Sequence, residues 1–141
     1  MKFGRCLNEQ DLALRLGAVM ATFFDTHAHL DYPELSAELP QILERARAAG
    51  ISRVISIGTD IESSRRAVAL ATQFHDVFAV AGWHPTHALE APEDLRPALR
   101  ELALHPKVVA IGETGLDYYR LPSQQPGGSA AQARRRAKGI Q

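Results

Sequence analysis

The feature that most constrains this chain is an alternation. Apolar runs over residues 22–30, 53–58, 77–82 and 108–112 are separated by stretches with helical spacing. Strands that are apolar almost throughout need cover on both faces, and helical crossovers between parallel strands supply it. The stretch 39–49 puts Leu39, Ile42, Leu43 and Ala46 on one face, with Pro40 in its first turn and Gly50 as its stop. The stretch 61–74 does the same with Ala67, Leu70, Ala71 and Phe74, and Asp60 is placed to cap its start. The stretch 95–104 carries Leu95, Leu99, Leu102 and Ala103, with Pro97 confined to its first turn. The order reads β-α-β-α-β-α-β: an α/β layer of four parallel strands with three intervening helices. A doubly wound sheet and a portion of a (β/α)8 barrel both satisfy this pattern, and periodicity does not separate them.

The flanks read differently. Residues 1–21 form an N-terminal extension with a loose helical stripe of Leu7, Leu12, Leu16 and Val19, interrupted by Glu9, Asp11 and Arg15. Those charges argue against a signal peptide. Residues 121–141 open on a Pro/Ser/Gly-rich linker and end in a basic run around Arg134, Arg135, Arg136 and Lys138, a composition expected to be disordered. The central domain therefore spans 22–120. Lysine plus arginine and aspartate plus glutamate are both 16, so net charge offers no steering toward nucleic acid or membrane. No run is long enough to span a bilayer. Cys6 is the only cysteine, which excludes a disulfide framework and a cysteine zinc site and fits a cytoplasmic setting.

In parallel α/β folds, sites form at the carboxyl ends of the strands. The first run ends in Asp25-Thr26-His27-Ala28-His29-Leu30-Asp31. On a strand, residues two apart share a face, so His27 and His29 would aim both imidazoles one way. The second run ends in Gly58-Thr59-Asp60, the third in Gly82-Trp83-His84-Pro85, the fourth in Gly112-Glu113-Thr114-Gly115-Leu116-Asp117. His27, His29, His84 and Glu113 would thus reach one rim, and imidazole with carboxylate suits a divalent metal such as zinc or manganese. The plainer alternative has Glu113 capping a turn and His84 packing beside Trp83. His75 and His105 precede strands and belong to the opposite end, as surface histidines, and His87 is read as surface too.

These motifs, in this order and extended by Tyr118-Tyr119, resemble the TatD-family metal-dependent deoxyribonucleases, amidohydrolase-like enzymes built on a (β/α)8 TIM-type barrel. The resemblance covers about residues 22–121. It implies that His27 and His29 ligate one metal and that Glu113 bridges two, with zinc, manganese or magnesium as the ions. It implies that His84 lies beside the substrate phosphate, that Asp117 supports the ligands, and that the reaction is hydrolysis of DNA phosphodiesters by metal-activated water.

The family pattern continues for roughly as many residues again and supplies two further histidines and an aspartate. Residues 121–141 contain no His, Asp or Glu. The chain therefore reads as the N-terminal half of such a barrel, of little activity by itself, whose open sheet edges invite self-association. Two other readings stand beside this one. One is an amidohydrolase-type metal hydrolase of different substrate, although those often carry lysine where this chain has Glu113. The other is a non-catalytic fragment or assembly module.

Overall fold

The computed structural model describes residues 21–116. The N-terminal extension, apart from Ala21, and the basic tail fall outside the described residues. Strand β1 (Phe23–Ala28) leads through a 3-10 turn (Pro33–Leu35) to helix α1 (Leu39–Ala48) and strand β2 (Ile51–Ile57). Helix α2 (Ile61–Gln73), strand β3 (Val77–Ala81), a second 3-10 turn (Pro85–His87), helix α3 (Arg96–Ala103) and strand β4 (Val108–Ile111) follow. The strands pair in parallel in the order β1-β2-β3-β4. Sequential order with a helix in every crossover is the arrangement of part of a (β/α)8 barrel, which resolves the choice that periodicity left open.

Local chemistry explains the boundaries. Asp60 caps α2 by accepting from the Ser63 backbone N–H at 2.7 Å. Proline occupies the first turn of α1 and of α3, where a missing N–H costs nothing. Helix α1 ends at Gly50, whose φ of +91° is a conformation that side chains disfavour. The core joins Leu39 and Leu43 of α1, Val54 of β2, Ala67 and Ala71 of α2, and Val77 and Ala79 of β3. Alanines on α2 let that helix sit close on β3. The fully buried Ser64 completes the joint: its hydroxyl donates to the Asp60 carbonyl at 2.6 Å and accepts from the Gly82 N–H at 3.1 Å.

One expectation needs correction. The first strand does not run to residue 30; β1 ends at Ala28 and is irregular. Asp25 pairs with Val54 and Ala28 with Ser56, so β1 fits one more residue than β2 across the same interval. Such a bulge resets which face each side chain takes. Among the described residues, no helix is long and apolar enough to cross a membrane.

Candidate metal centre

The carboxyl ends of the strands are held level by hydrogen bonds that continue past the ladder. Gly58 N–H donates to Val80 O at 2.9 Å, Gly112 N–H to Ala81 O at 3.0 Å, and His84 N–H to Thr59 O at 2.8 Å. Gly82 is required for the close approach of the Gly112 segment to the end of β3, because a Cβ there would overlap the Gly112 carbonyl.

On this rim the sequence-expected donors converge. One ligand atom each from His27, His29 and Glu113 lies within 4.8 Å of the others. Glu113 is the hub: its Oε1 is 2.6 Å from His27 Nε2 and its Oε2 is 2.7 Å from His84 Nε2. The carboxylate is about three-quarters buried, with 26% of its side chain exposed, so its charge is only partly screened.

Hydrogen-bond logic assigns two of the rings. His29 Nδ1 lies 3.1 Å from the Ile57 carbonyl, which can only accept. Nδ1 therefore carries the proton and Nε2 presents a lone pair, the arrangement that metal-ligating histidines adopt. His84 is the reverse. The Thr86 backbone N–H donates to His84 Nδ1 at 3.1 Å and the Thr86 hydroxyl sits 2.7 Å from the same atom. Neutral His84 thus carries its proton on Nε2 and donates it to Glu113. It presents a proton rather than a lone pair to the site.

Two imidazole nitrogens and a carboxylate oxygen match the donor chemistry of a divalent ion, and a set of three protein ligands leaves coordination positions for water or substrate. The residues present therefore fit such an ion.

The other candidates separate cleanly. Asp117 lies outside the described residues. Asp31, though two residues from His29, turns away from the rim: its side chain is 1% exposed, and Oδ2 accepts from Ser63 Oγ at 2.8 Å and Arg66 Nη2 at 2.9 Å. His75 is exposed next to Asp76, His87 pairs with Glu90, and His105 contacts Thr72 and Lys107.

Sequence reasoning missed Tyr32, whose ring stacks on His29 at 5.5 Å and 8° from parallel, while His27 meets His29 edge-on at 5.3 Å. It also missed Thr86 and the Ile57 carbonyl. Tyr32 immediately follows the histidine motif, so adjacency was a usable signal. Ile57 acts through its carbonyl and Thr86 through its amide as well as its hydroxyl, and backbone groups leave no residue-type signature.

Comparison with known proteins gives a consistent result. The model of a family described as TatD related DNase matches residues 24–134. A metal-dependent hydrolase of Bacillus subtilis, YabD, is 40% identical over 96 residues, covering 68% of this chain and 38% of its own length. A protein of Erwinia amylovora named 3′-5′ ssDNA/RNA exonuclease TatD is 40% identical over 102 residues, covering 72% and 39%. The crystal structure of the TatD homologue YjjV from Escherichia coli superposes with a TM-score of 0.66 at 32% identity, over 81% of this chain and 42% of that one. The chain thus spans about two-fifths of the length of these relatives.

Proposed function

The chain belongs to the TatD-related DNase family, and on that footing we propose that its site hydrolyses phosphodiester bonds at the end of single-stranded nucleic acid with the help of divalent ions. The observation that carries this reading is the convergence of His27, His29 and Glu113 at the strand ends. A divalent ion held there supplies Lewis acidity and lowers the pKa of a water molecule.

The chain's own residues divide the remaining work. His29 offers Nε2 directly, since Ile57 already takes its other nitrogen's proton. His27 would offer Nε2 as the neutral tautomer that carries its proton on Nδ1. By the family resemblance Glu113 is the carboxylate that two zinc, manganese or magnesium ions would share; its Oε1 lies at His27 and its Oε2 at His84. His84, held as an Nε2–H donor by Thr86, would exchange its bond to Glu113 for one to a phosphate oxygen of the substrate and so orient it. Asp117 is assigned a supporting role, structural or toward the ligands. The name of the Erwinia amylovora relative favours attack from the 3′ end and tolerance of both DNA and RNA.

Three donors among the described residues form an incomplete two-ion site, so we expect weak metal binding and slow turnover by this chain alone. Exposed Phe23 and Phe24 on the edge strand β1 favour self-association as the route by which that surface is covered.

The test pairs metal binding, read by competition with a chromophoric chelator, with nucleotide release from a single-stranded oligonucleotide in Mn2+. Glu113→Ala is expected to lose both signals, and His105→Ala to keep them. Equal loss in the two variants would put the site at the wrong end of the sheet. Wild-type hydrolysis of amides or other esters in preference to DNA would put it in a different branch of metal hydrolases.

A further inference from the structure

We infer that Tyr32 is a stacking platform for the terminal base of the strand being cleaved, an inference that rests on the nuclease reading above. The chain divides its side chains sharply at this point. Asp31 points inward at 1% side-chain exposure, while Tyr32 points out with 49% of the residue exposed. A single exposed aromatic is ordinary, but the orientation of this one is not. Its ring lies within 8° of parallel to His29, so one face is held against a donor of the metal centre and the other faces outward.

The backbone that carries the ring is also set before any ligand arrives. Tyr32 has φ −67° and ψ 130°, the extended conformation that the following Pro33 enforces, and its carbonyl accepts from Leu35 N–H at 3.0 Å. Little backbone freedom remains to be lost when a base stacks on the ring.

Position then suggests the ligand. Tyr32 is one ring removed from the cluster that would hold a phosphate, which puts its open face within reach of the base attached to that phosphate. Stacking reads the flat face of a base and ignores both its hydrogen-bonding edge and the sugar 2′-hydroxyl. A platform of this kind grips an end without preferring a sequence, and serves DNA and RNA alike.

The experiment uses the whole chain with Mn2+ and short single-stranded DNA labelled at its 5′ end, with terminal phosphorothioate links to slow cleavage. Binding is followed by fluorescence anisotropy. One strand is intact and the other lacks its two 3′-terminal bases but keeps the phosphates. The intact strand is expected to bind wild type about tenfold more tightly than the abasic one. Tyr32→Ala should bind both strands as weakly as wild type binds the abasic strand, with metal affinity unchanged, and Tyr32→Trp should restore the difference.

Equal binding of the two strands by wild type overturns the platform and leaves the nuclease reading standing. A difference that persists in Tyr32→Ala overturns it as well. Loss of metal affinity in Tyr32→Ala, with both strands weakened by the same factor, would make Tyr32 a mere support for His29. Wild type that binds neither strand sinks the nuclease reading, and this inference with it.

Discussion

Removing the Arg66 side chain should destabilise the fold and loosen the metal centre together. Asp31 lies two residues beyond His29, and its carboxylate is 1% exposed. Oδ2 accepts from Ser63 Oγ and Arg66 Nη2, while Oδ1 is buried with no partner. Arg66→Ala leaves one neutral hydrogen bond to a whole buried carboxylate. A lost hydrogen bond to a charged group costs about 1.5–3 kcal/mol. Stranding a fully buried charge costs about 3–5 kcal/mol, but Arg66 is itself 53% exposed, so water can replace part of what it supplied. The structure therefore points to a loss of about 2–3 kcal/mol, well above the ~0.2–1 kcal/mol of a surface pair.

Urea denaturation followed by far-UV circular dichroism measures that loss, and chelator competition measures the metal. Because Asp31 anchors the loop that follows His29, metal affinity should fall by about 10- to 100-fold, as when a ligand loses its outer support. Asp31→Asn in the Arg66→Ala background should recover part of the stability, since no buried charge is then left unpaired. A stability change under about 0.5 kcal/mol would mean that the pair behaves as a surface bridge, and the reasoning about His29 would fail.

Two further outcomes follow from other parts of the structure. Burial pushes the Asp76 carboxyl up, but its hydrogen bond to Arg47, its own backbone N–H and the nearby charges outweigh burial and hold it below its ordinary value of 3.8. A carboxylate depressed on folding stabilises the native state above its unfolded pKa, and that contribution disappears as pH falls through the folded value. Acid unfolding below about pH 4 should thus lose part of its steepness in Asp76→Asn, and an unchanged acid limb would count against the pairing. If β1 is where copies meet, Phe24→Lys should shift the chain toward monomer in sedimentation velocity, since charge on an edge strand opposes pairing; an unchanged distribution would remove β1 from the account.

Much of this protein is written locally. The apolar runs and the spacing of Leu39, Leu43, Ala67 and Ala71 determine a helix-covered parallel sheet, because each pattern reflects a period that the backbone imposes by itself. Asp60, Pro40 and Gly50 mark their boundaries through short-range hydrogen bonds and φ preferences. The donors His27, His29 and Glu113 could be named from their positions after apolar runs, since strand ends gather on one rim whatever the loops do.

Three matters were decided by tertiary structure. The extra residue in β1 and the end of that strand at Ala28 follow from its pairing with β2, not from its own apolar pattern. Asp31 lies within the motif yet is drawn inward by Arg66 and Ser63, from 35 and 32 residues away. The proton positions on His29 and His84 follow from a carbonyl of β2 and an amide of the next turn. The Asp31 and His29 partners are brought close only by the packed sheet. The Thr86 amide is local to the turn after His84 and is hidden for another reason: a backbone N–H leaves no residue-type signature.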